Sequence, residues 1–249
     1  VIDLNHRDPS GIFNHLIDAA VKAKRDADTP RSYLGASMLG DPCDRKVQFT
    51  YFNTPKDGEG FSGRAYRIFS MGHWAEDETL RFMAMAGFNV STINAETGYQ
   101  HGFSWVNGRI KGHCDGIVLG GPERMGPYPR LFEHKCVNSK TFSKYAKEPL
   151  QKANPVYYVQ VQLYMHSFSL TDNPAMFVAM NKDTCEYLVK DVPFNPEECQ
   201  RQIDRAARIL QACDAGELMP PLSKNPLSYF ECKWCDYQER CNRLTQAGM

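Results

Sequence analysis

No run of apolar residues in this chain approaches the roughly 20 needed to cross a bilayer, and the N-terminal stretch lacks the charged-then-apolar plan of a secretory leader. The expectation is a cytoplasmic or otherwise intracellular protein with no membrane partner. Charge of one sign is also missing: 29 Lys plus Arg stand against 29 Asp plus Glu. With zero net charge there is no global field to draw in nucleic acid, so any DNA-binding surface has to be a local patch. The phosphate-cradling pattern G-x-x-x-x-G-K-[ST] is absent from these residues, as are helicase motifs, so the expectation is a stand-alone activity rather than one fused to an ATP-driven helicase. Nor does the composition fit disorder, since apolar residues make up 42% and charged residues 23%. The 249 residues suit one domain, 1–249, with a core large enough to need no disulfides. Cysteine, by contrast, is plentiful: nine, an odd number. In a reducing compartment clustered cysteines are more often metal ligands than disulfides.

The hydrophobic period places the elements. Ile12, Phe13, Leu16, Ile17 and Ala20 recur at helical spacing over 10–24. A short helix fits 42–52, a turn-rich mobile loop 53–63, and a long helix 64–86 stopped by Gly87. The period then shortens to that of strands, 97–106 and 109–119, joined at Asn107-Gly108, the favoured dipeptide of a tight hairpin. A third strand covers 130–137. Asn154-Pro155 reads as the cap and first residue of a helix to about 170. Strands at 175–181 and 185–191, a helix at 196–215, and a proline-marked, cysteine-bearing tail from 220 complete the chain.

Candidate chemistry sits on the strands. In Leu131-Phe132-Glu133-His134-Lys135-Cys136, alternation sends Glu133 and Lys135 to one face and Phe132 and His134 to the other. Upstream, Gly112-His113-Cys114-Asp115-Gly116 puts a second carboxylate in an apolar strand, where a charge is costly without a cation. A hairpin between these strands brings Asp115 beside Glu133. Two carboxylates holding Mg²⁺ or Mn²⁺ and a lysine that orients water or stabilises the transition state are what phosphodiester hydrolysis requires. Taken alone, so common a tripeptide as E-x-K fits an ordinary cross-face ion pair on an exposed strand far better than a catalytic site. Two other features supply company. On the long helix Ala65, Ile68, Phe69, Gly72, Leu80 and Met83 share a side, and Glu76 lies in its middle, placed for a metal or cation. His73 stands at the boundary of that side. Gln160 and Tyr164, four residues apart, share a helix face and reach one neighbour. For backbone and base contacts with DNA the candidates are Arg109, Lys111, Lys140 and Lys144, with Tyr157 or Trp105 stacking on bases.

Cys232-Lys233-Trp234-Cys235 followed by Cys241 makes C-x2-C-x5-C, three thiolates in need of a fourth. Cys43, beside Arg45 and Lys46, is the best candidate, and four thiolates suit a 4Fe-4S cluster or tetrahedral zinc. Segments 37–60 and 220–241 would together form the cluster region. Cys114, Cys136, Cys185, Cys199 and Cys213 are isolated and read as small core residues.

In order along the chain, Cys43, Gly72-xxx-Glu76, Gly112-xx-Asp115, Glu133-x-Lys135, Gln160-xxx-Tyr164 and the C-x2-C-x5-C tail resemble the RecB-like branch of the PD-(D/E)xK nucleases. The likeness is nearest to its iron–sulfur exonucleases, among them the CRISPR-associated RecB-like exonucleases, the AddB nuclease domain and exonuclease V. That resemblance implies an α/β restriction-endonuclease-like fold, a central mixed β-sheet flanked by helices, with N- and C-terminal segments joined by the cluster. It implies metal ligands at Asp115 and Glu133, a backbone carbonyl ligand at His134, and Lys135 beside the scissile phosphate. Many members carry histidine where Glu76 stands, which leaves His73 as the other candidate there. The function implied is a stand-alone, Mg²⁺- or Mn²⁺-dependent DNA exonuclease acting on single strands or free ends, leaving a 5′-phosphate and a 3′-hydroxyl. The rivals are a catalytically inactive DNA-binding module of the same fold and a zinc-stabilised structural protein.

Overall fold

The protein is described from a computed structural model, over residues 8–58 and 60–248; the expected domain span 1–249 also takes in residues 1–7, 59 and 249, which lie outside the described residues. The chain opens with α1 (Pro9–Asp26), where the Asp8 carboxylate accepts from the Gly11 amide and proline occupies the first turn. Next come β1 (Leu34–Gly35), α2 (Ala36–Leu39) and α3 (Asp44–Tyr51), then α4 (Gly63–Met85), capped by Ser62. Gly87 follows α4 at φ +88°, the left-handed stop its position predicted. Strands β2 (Asn89–Ser91), β3 (Gly102–Trp105), β4 (Ile110–His113), β5 (Gly116–Gly120) and β6 (Arg130–Val137) lead to α5 (Ser139–Lys147), α6 (Leu150–Ala153) and α7 (Pro155–Ser167). Last are β7 (Ala175–Asn181), β8 (Tyr187–Val192), α8 (Pro196–Ala215), closed by left-handed Gly216, and α9 (Gln238–Gln246).

Two mixed sheets result. A five-stranded sheet runs β2-β5-β6-β7-β8, and a three-stranded one runs β1-β4-β3. In the larger sheet β6 and β7 are parallel, because α5, α6 and α7 carry the chain back across one face, while the other pairs are antiparallel. The face bearing Leu131 and Phe177 packs on α7 residues Val159 and Leu163 in the main core. The opposite face, with Val118, Phe132, Met176 and Val178, receives Leu80 and Met83 of α4.

Four expectations are corrected. The strand read over 109–119 is two strands, broken at Cys114-Asp115 and shared between the two sheets. Of 97–106 only 102–105 forms a strand, since 94–99 forms a turn closed by the Asn94 side chain between the bridged residues Ile93 and Gln100. Asn107-Gly108 lies within a four-residue loop in which Val106, Asn107 and Gly108 are all left-handed, so the tight two-residue hairpin is not formed. Finally, the apolar side of α4 is buried only in its C-terminal half: Ile68 is 51% and Phe69 41% exposed, because α1 covers a different side, through Asp18 and Arg67. β1, β2, α2 and α6 are too short to stand out in the sequence, whereas α5 and α9, nine residues each and amphipathic, are helices that the expected elements lacked.

Candidate active site

The break at Asp115 makes the site. Strand geometry would alternate side chains strictly; ending β4 at His113 and starting β5 at Gly116 frees Asp115 to turn its carboxylate onto the neighbouring strand, where Oδ2 accepts the His134 amide at 2.8 Å. Gly112 is needed here: a Cβ would come within 2.6 Å of both the Phe103 and Tyr164 rings. The hairpin of β5 on β6 then holds Asp115 beside Glu133, as its sequence position predicted.

Glu133 is fully buried. Its Oε1 accepts from the Lys135 amine, which also donates to the His134 carbonyl at 2.8 Å and lies 3.8 Å from Asp115. Its Oε2 is buried and has no hydrogen-bond partner. Burial pushes the Glu133 carboxyl up to about 8, against the pull of Lys135. Burial works against the Lys135 charge, but Glu133 and Asp115 more than reverse it and hold the amine protonated. Glu76 of α4 is raised to about 7 by burial and by the nearby Asp115 charge. Three carboxylates therefore crowd one amine, a charge pattern that a cation would relieve. Among the described residues no group of three or more His, Cys, Asp or Glu side chains is arranged so that it could hold a metal ion.

A cavity of about 560 Å³ opens above this cluster, lined by Glu76, Asp115, Gln160, Tyr164 and His73, all singled out in the sequence. Gln160 donates to the Tyr164 hydroxyl at 3.1 Å, and burial next to Glu133 keeps that phenol protonated. Glu133, fully buried, and Lys135, 3.8 Å from Asp115, do not line it. Arg31, Tyr33, Ser37 and His113 also line it, and no periodic signal in the sequence marked them. Lys111, a candidate backbone contact, reaches the cavity with its amine 5.3 Å from the Tyr33 ring. The other DNA-contact candidates are differently placed. Arg109 is engaged by Asp214 and the Tyr51 hydroxyl, Trp105 packs on Phe103 and His166, and Tyr157 lies beneath Lys135 against Phe177. Lys140 and Lys144 are exposed on α5, away from the cavity wall.

Cys43, Cys232, Cys235 and Cys241 line a second, small cavity together with Arg45 and Lys46. Cys43 caps the N-terminus of α3, Cys232 lies in a 3-10 turn, and Cys241 belongs to α9. Arg45 donates to the Cys241 sulfur at 3.8 Å, and Lys46 pairs with Asp41. Burial pushes the Cys232 thiol up to about 11, with Cys43, Cys235 and Cys241 adding to it. Of the isolated cysteines, Cys114 and Cys199 are core residues and Cys136 and Cys213 half-buried. Cys185 is exposed at φ +61° in the β7–β8 turn, so its core placement is corrected.

No family model matches the sequence, and no curated protein does. Solved structures do. The chain is similar to LHK-Exo in complex with dAMP, with TM-score 0.50 and 14% identity over 82% of this chain and 93% of that one. It is also similar to the alkaline exonuclease LHK-Exo from Laribacter hongkongensis, with TM-score 0.48 and 15% identity over 81% and 93% of the two chains. A third structure, SSO0001, gives TM-score 0.44 and 15% identity over 92% and 96%. At this identity the first likeness shows fold alone: the chain has a mixed α/β fold, two mixed sheets flanked by helices, shared with LHK-Exo.

Proposed function

We propose that the chain is a metal-dependent DNA exonuclease of the RecB-like PD-(D/E)xK type, acting on single strands or free DNA ends. The observation that carries this reading is Glu133, a fully buried carboxylate with one oxygen on Lys135 and the other unpartnered. Leaving such an oxygen unsatisfied costs about 1–3 kcal/mol or more for a charged group, and a hard cation shared with Asp115 would remove that cost. Mg²⁺ or Mn²⁺ fits the donors present: Asp115, Glu133, the His134 carbonyl, and Glu76 or His73 on α4. Such an ion, when bound, lowers the pKa of a bound water and neutralises charge building on the phosphate. The chain's own groups do the rest. Lys135, held protonated beside Asp115, offsets the negative charge of the carboxylates and of a phosphate bound next to them. Gln160 and Tyr164 present an amide and a phenol to the same space, and Arg31 and Lys111 on the cavity wall hold the adjoining backbone phosphates. LHK-Exo, an alkaline exonuclease that has been seen with dAMP, shares the fold, in keeping with a nucleotide-bearing substrate.

The four cysteines are assigned to a 4Fe-4S cluster, with zinc the less favoured occupant. An all-thiol set beside Arg45 and Lys46, cations that favour thiolate, fits a cluster that would tie α3 to the tail within 220–241. End-labelled DNA blocked at its 5′ or 3′ end, digested in Mg²⁺ and in Mn²⁺, tests the catalytic reading. Stepwise loss of label is expected, abolished by EDTA and reduced to background by Asp115→Asn; equal release by wild type and variant would remove Asp115 from the reaction. An anaerobic preparation should be coloured and contain iron, and colourless protein with stoichiometric zinc would overturn the cluster.

A further inference from the structure

The N-terminal half of α4 and Phe61, just before its Ser62 cap, carry aromatic rings that the catalytic reading does not use. Phe61, Tyr66 and Phe69 form one edge-to-face cluster, with Phe61–Phe69 centroids 5.1 Å apart at 90° and Tyr66 at 6.0 and 6.1 Å from the two phenylalanines. Phe61 is 46% and Phe69 41% exposed, so the two rings leave apolar faces in water. A cation accompanies them: the Lys56 amine, paired with Asp236, also lies 4.6 Å from the Phe61 centroid.

Position gives the cluster its meaning. Phe69, His73 and Glu76 follow one another at i, i+4 and i+7, so they share one face of the helix. His73 and Glu76 line the catalytic cavity, and Phe69 continues the same stripe outward. At 1.5 Å per residue Phe69 stands about 10 Å from Glu76 along the helix axis, roughly three nucleotides at the ~3.4 Å spacing of stacked bases. Exposed aromatic faces in line with the proposed phosphodiester site offer an unpaired strand rings for bases of any sequence, and Arg31 and Lys111 on the cavity wall offer positive charge for its backbone.

We propose that Phe61 and Phe69 form a stacking platform for the bases of single-stranded DNA on its path along α4 to the catalytic cavity. The proposal rests on the nuclease reading for the identity of the ligand and adds the state of the strand. A paired duplex keeps its base faces covered and gains nothing from these rings, so the platform selects unpaired DNA.

Fluorescence anisotropy in EDTA, which stops turnover, reads the platform directly with labelled oligo-dT and an abasic oligomer of equal length. Phe69→Leu and Phe61→Leu keep apolar bulk but lose the π-face. Each should weaken oligo-dT binding about tenfold, with Phe69→Trp restoring it. The abasic oligomer should bind wild type no better than oligo-dT binds Phe69→Leu. Phe82→Leu, which changes an exposed ring on another face of α4, should bind as wild type. Equal oligo-dT affinity for wild type and Phe69→Leu overturns the proposal, as does tight binding of the abasic oligomer. A wild-type dimer that Phe69→Leu dissociates also overturns it, by assigning the rings to a second copy of the chain. The two readings separate: Phe69-dependent binding with no nucleotide release in Mg²⁺ or Mn²⁺ retains the platform and removes the nuclease. Nucleotide release with Phe69-independent binding does the reverse.

Discussion

Glu133 and Glu76 set how the metal-free protein responds to pH. Burial, with repulsion from Asp115, raises Glu133 to about 8 and Glu76 to about 7, from ordinary values of 4.5. Between 4.5 and those values the folded chain keeps protons that the unfolded chain has released, so these groups lower stability as pH rises through that window. The melting temperature in EDTA should therefore fall from pH 5 to about 8, and Glu133→Gln should flatten the decline. A melting temperature that climbs across the same range contradicts the burial of an unneutralised carboxylate. At this scale the sequence was informative because strand alternation is geometric: Glu133 and Lys135 had to share a face. Alternation says nothing of the unpartnered Oε2, nor of Arg31, Tyr33 and Ser37, which reach the cavity from segments with no period of their own.

Between elements, the site depends on α4 keeping its place against β6. Thr79, one turn beyond Glu76, donates to the Ala75 carbonyl and bonds both His134 Nε2 and the Tyr187 hydroxyl at 3.1 Å. The imidazole is held neutral, pushed down to about 4 by burial and by Lys135. Thr79→Val keeps the shape and removes these partners, so it should cost about 1–3 kcal/mol for the buried groups left unsatisfied. Because the lost bonds join the helix of Glu76 to the strand of Glu133, turnover should fall as well. Urea unfolding and DNA digestion measure the two losses, and unchanged values for both would show that the Thr79 network holds nothing in place. Helix ends were legible where a cap or a stop residue stood at them, as Asn154 and Gly87 illustrate. The split at Asp115 was not, because a strand that changes sheets keeps its apolar pattern through the break; tertiary pairing alone reveals it.

Over the whole molecule, residues far apart in sequence are joined around the cysteines. Arg45 donates to the Met219 carbonyl, Gln48 to that of Glu217, and the Asp57 carboxylate accepts the Glu239 and Arg240 amides at the start of α9. Arg205 of α8, nearly buried, binds Asp44 and the Leu39 and Asp41 carbonyls. Cys43 is thereby carried to the C-x2-C-x5-C tail, a meeting that the spacing suggested and that no local pattern could establish. The first helix was less legible, since α1 turns Ile12, Phe13 and Leu16 outward, each more than half exposed, and packs through Asp18 onto Arg67 instead. A hydrophobic stripe predicts a helix, but not which side its neighbours take. Asp115 joins the cavity wall to the buried pair of Glu133 and Lys135. The most direct measurement is the initial rate of acid-soluble nucleotide release from labelled single-stranded DNA in Mn²⁺, wild type against Lys135→Ala. Steady release by wild type, lost in the variant while its fold is retained by circular dichroism, is the predicted result. Equal rates from the two proteins, or no release from either, would contradict it.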